Sequence, residues 1–141
     1  MTELRVSPDF HLRVRVEPGD IDDLRHVSNI VYVRWVQDVA VAHSNAVGWT
    51  HEAYMKAGKI FIVRRHEIDY LHPALEGEEL ELITWVESWS GASSVRRTRI
   101  VRPEDGREIA RAMTLWVLVS TTTGRPQRIP PEMVDAFTQK G

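Results

Sequence analysis

The chain has 141 residues, 43% of them hydrophobic and 27% charged, enough to bury one core and too few for two ordinary domains, so residues 1–141 read as a single domain. A formal charge of -2 and a pI near 6.3 offer no basic footprint for nucleic acid, and the lack of cysteine excludes disulfides, thiolate nucleophiles and zinc–thiolate clusters. The opening "MTELRVSPDF" has no basic stretch leading into an apolar one, and no segment approaches the ~20 apolar residues of a membrane span, so a cytoplasmic protein without membrane insertion is expected.

"FHLRVRVE" alternates Phe10, Leu12, Val14 and Val16 with His11, Arg13, Arg15 and Glu17, the period of a half-buried strand, and Pro18-Gly19 ends it. Residues 27–47 are valine-rich, which favours a strand, but their length favours a helix, and length decides. Arg34, Gln37, Asp38, Ser44 and Asn45 fall near one face of that helix. Ile30, Val31, Trp35, Val36, Val39, Ala42, Ala46 and Val47 take most of the remainder, so it must be covered on nearly all sides. A shorter helix is expected to begin after Thr50 and close at Gly58. From Ile60 onward the pattern predicts four strands, at 60–72, 78–88, 93–102 and 107–120, broken by "HPALEGE", "SGA" and "PEDG". The last of them, carrying Ile109, Met113, Leu115, Val117 and Val119, is expected to be the most buried. "TTTGRPQRIPPEMVDAF" then adds a turn and a terminal helix with proline in its first turn. A strand, a long buried helix and a four-strand meander are most simply closed by curling the sheet around the helix.

The densest chemistry lies at residues 20–29, "DIDDLRHVSN", directly before the long helix. A helix start offers unpaired N–H groups and the positive end of the helix dipole, which stabilise an oxyanion forming on a carbonyl. A carboxylate there can attack the carbonyl or activate a water, and a histidine can hold the carbonyl or place the water. The same residues also suit a plain capping role, with Asp20, Asp22 and Ser28 closing the helix and His26 a polar neighbour. Spacing alone leaves both readings open.

"DIDDLRHVSNIVYVRW" resembles the D-x-D-x-x-x-H-V-x-N-x-x-Y-x-x-W pattern of the hotdog-fold thioesterases, which include 4-hydroxybenzoyl-CoA thioesterase, bacterial long-chain acyl-CoA thioesterases and plant acyl-carrier-protein thioesterases. "HEIDYLHPALEGEELEL" and "DGREIARAMTLWVLVSTTTGRPQRIP" are similar to that family's second strand and to its closing hairpin and tail, so the likeness runs from about Leu12 to Phe137. The resemblance implies an α+β hotdog fold, an antiparallel five-stranded sheet wrapped around a long central helix. It implies hydrolysis of an acyl-CoA or acyl-ACP thioester with no cofactor. Asp22 falls on the family's carboxylate, nucleophile in some members and general base in others; His26 falls on its histidine; Asn29 falls in the helical turn whose amides polarise the carbonyl. The resemblance also implies a homodimer paired edge to edge, with a dimer of dimers left open. Two positions depart from the pattern. Arg25 stands where the bacterial sequences have glycine, and Leu24 where the plant enzymes have a catalytic asparagine.

"VRRTRIVR" places Arg97 and Arg99 on one strand face and Arg96 and Arg102 on the other. Arg96, Arg97 and Arg99, with Arg125 and Arg128 from the tail, are candidates to grip the phosphates of coenzyme A, or are charges that guard an edge strand. Glu67 and Asp69 are read as surface strand charges rather than a second carboxylate, and His66 and His72 as solvated polar residues. The six histidines lack H-E-x-x-H or comparable spacing, so no metal is expected. The five tryptophans are assigned to the core or to a subunit interface, with one or two as walls of an acyl pocket. Two rival functions remain. A hotdog hydratase or dehydratase resembles D-x-N-x-x-H, an offset of five, whereas Asp22 and His26 are four apart. A non-catalytic acyl-CoA-binding scaffold is kept open by Arg25 and Leu24.

Overall fold

A computed structural model describes residues 5–140. In chain order it contains β1 (Phe10–Arg15), a 3₁₀ turn (Pro18–Asp20), α1 (Asn29–Ala46), α2 (His51–Ala57), β2 (Lys59–Tyr70), β3 (Glu79–Ser90), β4 (Ser93–Arg102), β5 (Arg107–Ser120) and α3 (Pro131–Lys140). The five strands form one antiparallel sheet in the order β1-β3-β4-β5-β2. Short turns make β3, β4 and β5 a meander. The two helices between β1 and β2 carry the chain across the sheet, which leaves β1 and β2 at opposite edges.

Helix α1 lies on the concave face. Val31, Tyr32, Trp35 and Val39 pack against Leu80, Leu82, Ile100 and Ala110, each a side chain whose burial contributes up to about 3 kcal/mol. A second cluster joins Val47 and Tyr54 to Val86, Leu118 and three residues of the tail, Ile129, Met133 and Phe137. The tail therefore closes the end of the sheet that α1 leaves open.

The boundaries follow local chemistry. Ser28 caps α1, its Oγ accepting from the Ile30 amide at 3.4 Å. Thr50 caps α2, accepting from the Ala53 amide at 3.2 Å, and Gly58 ends it in the left-handed conformation at φ 70°. β2 and β3 start and stop within two residues of the sequence expectation. Trp89, placed there after the strand, lies inside β3.

Three readings of burial need correction. Ser44, grouped on one face with Arg34, Gln37, Asp38 and Asn45, is buried while those four are exposed, and its Oγ donates to the Trp49 carbonyl at 2.6 Å and meets the Tyr54 hydroxyl at 2.7 Å. α1 is not covered on nearly all sides, since Ile30 is 78% and Val41 55% exposed on the face it shares with Arg34, Gln37 and Asn45. In β5, Met113 and Leu115 are only half-buried on the convex face, and the concave positions carry Ala110, Ala112 and Thr114.

Beneath α1 the sheet holds a polar seam. Thr84, Ser94, Arg96, Thr98 and Thr114 are all buried on the concave face, and His43 of α1 is wholly buried above them. Arg96 Nη1 donates to His43 Nδ1 at 2.9 Å and to Thr84 Oγ1 at 3.1 Å. A guanidinium can only donate, so His43 accepts at Nδ1 and its neutral ring carries the proton on Nε2. Burial and then the neighbouring Arg96 charge pull this imidazole from 6.5 down to about 3.

The sign of the linkage follows from that depression. Between roughly pH 6.5 and 3 the unfolded chain binds a proton at His43 that the folded chain refuses, so this contribution to stability is full above 6.5 and is lost as pH falls toward 3. His43→Gln, which keeps an acceptor for Arg96 without titrating, is expected to flatten the acid limb of stability by up to about 1.4 kcal/mol per pH unit. Urea unfolding of both proteins from pH 7 to 4 checks this.

Candidate active site

The turn before α1 is closed by its own backbone. Ile21 and Val27 form an isolated antiparallel bridge. Within it the Asp22 amide donates to the His26 carbonyl and the Arg25 amide to the Asp22 carbonyl, both at 2.9 Å. The Val27 amide ties the turn to the Ala74 carbonyl at 3.0 Å. Arg25 has φ 66°, and among the described residues no other non-glycine residue has a positive φ. A β-carbon is disfavoured in that conformation by about 1–2 kcal/mol, so Arg25 holds a backbone shape that glycine adopts more readily.

The structure separates the two aspartates. Asp20 is only 6% exposed; Oδ2 accepts from the Glu17 amide at 2.9 Å and Oδ1 from Arg34 Nη2 at 3.0 Å, while its carbonyl accepts from the Ser28 amide at 2.9 Å. It binds the end of β1, the turn and the second turn of α1 together. Asp22 is exposed. Its Oδ1 accepts from the Leu24 amide at 2.9 Å and the His26 amide at 3.4 Å, and Oδ2 has no hydrogen-bond partner among the described residues. One oxygen is held and the other is presented.

His26 is exposed, with no side-chain hydrogen bond among the described residues. Asn29 opens α1. Ser28 occupies the amides of Ile30 and Val31, whereas that of Asn29 has no partner among the described residues. Tyr70, at the end of β2, donates from its hydroxyl to the Asn29 carbonyl at 3.5 Å. Exposed apolar side chains surround this helix start: Leu24, Ile30, Tyr70, Leu71 and Leu75. A free carboxylate oxygen, an open imidazole and an unpaired helix amide thus share one short segment with an apolar surround, the components needed to bind and polarise an acyl carbonyl.

The arginines are not gathered around this segment. Arg96 lies in the interior, 6% exposed and bonded to His43 and Thr84, so a surface grip on coenzyme A phosphates does not apply to it. Arg97 and Arg99 are on the convex face, with Nε donating to Glu87 at 2.8 Å and to Glu108 at 2.6 Å. Arg128 is exposed in the tail. His66, expected to be solvated, is half-buried between α1 and the sheet: Nε2 accepts from Gln37 Nε2 at 3.4 Å and Nδ1 donates to Thr114 Oγ1 at 2.9 Å. Burial lowers its pKa. Glu67 and Asp69 are exposed strand charges. Sequence reasoning missed the Asp20–Arg34 clamp, although a fourteen-residue separation crossing a turn into a helix carries no local periodicity to reveal it.

Comparison with known proteins agrees with this architecture. Residues 16–137 match the model of the thioesterase-like superfamily, and the chain belongs to that family. Its sheet and central helix are those of the hotdog fold. Acyl-CoA thioester hydrolase YbgC of Escherichia coli is 28% identical over 133 residues, covering 92% of this chain and 96% of that protein. A chloroplastic palmitoyl-acyl carrier protein thioesterase of Arabidopsis thaliana is 29% identical over 131 residues, 88% of this chain, and the chain spans about a third (32%) of the plant protein's length. The crystal structure of a 1,4-dihydroxy-2-naphthoyl-CoA thioesterase from Synechocystis superposes with a TM-score of 0.86 at 16% identity, covering 94% of this chain and 97% of that one.

The contrasting roles of the turn residues are open to a stability test. Asp20→Asn turns one acceptor into a donor against the Glu17 amide or Arg34 and is expected to cost about 1–3 kcal/mol. Arg25→Gly relieves the positive φ at some cost in chain entropy, for an expected net gain of about 0.5 kcal/mol. Urea denaturation of both variants reads the two opposite signs.

Proposed function

We propose that this single domain hydrolyses an acyl thioester of coenzyme A or of an acyl carrier protein. The observation that carries the reading is the pairing, within eight residues, of the unengaged Asp22 oxygen with the unengaged Asn29 amide. The thioester oxygen rests against the amides that open α1. Asp22 removes a proton from water as it attacks the carbonyl carbon, or attacks that carbon itself to form a mixed anhydride that water then hydrolyses; the first route keeps one water between the carboxylate and the carbon, the second brings them into contact. The tetrahedral oxyanion draws on the helix start, His26 orients the water or the carbonyl, and collapse expels the thiolate, which takes up the proton released by water. All the required groups come from the chain and from water.

The same proposal includes a homodimer joined at β2. Its outer edge has no strand partner among the described residues, and Ile62, Tyr70 and Leu71 on it are exposed together with Ile30 and Val41 of α1. A second copy laid along that edge satisfies its amides and carbonyls and supplies a wall beside Asp22. With no cysteine in the sequence, and no helix among the described residues long and apolar enough to cross a membrane, we place the reaction in the cytoplasm.

Release of free thiol from a panel of acyl-CoAs of different chain length and aromaticity tests the activity. Asp22→Asn, whose amide oxygen still accepts from Leu24 and His26, is expected to lose at least about 100-fold in kcat/KM with its unfolding midpoint unchanged. Tight binding across the panel with no thiol released would instead identify a scaffold. For the assembly, Ile62→Lys is expected to shift the protein toward monomer in sedimentation, with a fall in turnover; a variant still fully dimeric and fully active would exclude the β2 edge.

A further inference from the structure

A separate cavity of about 140 Å³ lies at the other end of α1, bounded by Ser44, Trp49, Phe61, Trp89, Trp116 and Phe137, with Arg96 in its wall. Its helical residues, 40–45, are 11–16 positions beyond Asn29, roughly 16–24 Å along the axis, so it is distinct from the turn at Asp22. The volume is many times the roughly 10–15 Å³ that admits one water on the same measure. It fits a small ring or a short alkyl chain.

The hydrogen-bonding balance around it is one-sided. Arg96 is buried, and no carboxylate among the described residues comes within ion-pair distance of it. Of its five N–H donors, Nη1 serves His43 and Thr84, while Nε and Nη2 have no hydrogen-bond partner among the described residues and, unlike the occluded His43 Nε2, Trp89 Nε1 and Trp116 Nε1, keep accessible surface. Nε and Nη2 form the edge of the fork that matches a carboxylate with two parallel bonds. No buried side-chain acceptor is orphaned among the described residues.

The cation is also held in place. His43 stacks on Phe10 at 5.1 Å and 9°, Phe137 meets His43 edge-on at 5.1 Å, and the Thr84 hydroxyl donates to the Arg97 carbonyl, so its oxygen is turned to accept from Arg96. The Arg96 guanidinium also lies 5.7 Å from the centre of the Phe137 ring. An unpaired buried charge is costly unless something compensates it. One positive charge with its own unpaired N–H groups and aromatic walls calls for one negative charge with acceptors on an apolar body.

We propose that this cavity is a second ligand site, which takes a carboxylate borne on a small aromatic or short alkyl group, with Arg96 as its cation. The carboxylate is that of a free acid, since the roughly 16–24 Å to Asn29 exceeds the reach of a short chain whose thioester sits at Asp22. Its binding does not rest on hydrolysis at Asp22.

The test titrates the full chain with benzoate, phenylacetate and hexanoate, each beside its neutral amide, reading tryptophan fluorescence and calorimetry. The acids are expected to saturate at least about tenfold more tightly than the amides, because the acid brings Arg96 a charge and two acceptors where the amide brings one acceptor and no charge. Arg96→Lys, which keeps the charge and loses the fork, is expected to weaken the acids about tenfold, and Arg96→Met to erase their advantage. Should Arg96→Met fail to fold, the acid-to-amide ratio of the unaltered protein decides. Equal affinity for acid and amide, or acid binding indifferent to Arg96→Lys, overturns the site. No turnover of any thioester removes the hydrolase reading and leaves the acid titration to stand or fall by itself.

Discussion

Everything at the candidate active site depends on the Asp20 carboxylate. It is buried at the point where β1 gives way to α1, and it receives a backbone amide of the 3₁₀ turn on one oxygen and the Arg34 guanidinium on the other. The turn between them has no room to drift. Because the Asp20 carbonyl also accepts from Ser28, the capping residue of α1 is placed by the same clamp, and the helix start inherits its position from it. Asp22, two residues on, emerges from this anchor with one oxygen spent on the turn and the other without a hydrogen-bond partner among the described residues. Of two acids two positions apart, one is built into the turn and the other is presented to the surface.

The concave face of the sheet shows a different compromise. A hotdog core could be wholly aliphatic, yet here three threonines, a serine, an arginine and a histidine share the space under α1. The threonines suit β-strands and have hydroxyls that bond within the sheet, as Thr84 does with Arg97 and Thr114 with His66. Arg96 is harder to account for by stability alone, since a paired or apolar residue would be less costly there. Its placement in a cavity wall is what the proposed carboxylate ligand would account for. The convex face follows the opposite logic, with Arg13, Arg97, Arg99 and Arg111 each matched to a glutamate, so that charge guards the sheet surface.

Much of this was legible in the residues. Alternation marked β1, turn chemistry at Gly58, Gly77, Gly91 and Gly106 marked the ends of elements, and Thr50 and Ser28 announced helix starts. Asp22, His26 and Asn29 could be picked out by their order before a long helix, because the components of the turn are local in sequence. The convex-face ion pairs, the Asp20–Arg34 clamp and the His43–Arg96 bond could not. Their partners are 14 and 53 residues apart in the last two cases, and nothing in a pattern of periods two or 3.6 says which strand will lie beneath which helical turn.

The sequence by itself thus determined the kind and order of the elements and the stretch that carries the candidate chemistry, since both are set by local propensity, capping and hydrophobic period. Only the tertiary structure decided which of two aspartates is buried, that Arg96 faces inward against a neutral histidine, and that Ser44 is interior while Ile30 is bare. Those outcomes depend on what each side chain meets across the sheet, a question of packing between distant segments that no short window of residues contains.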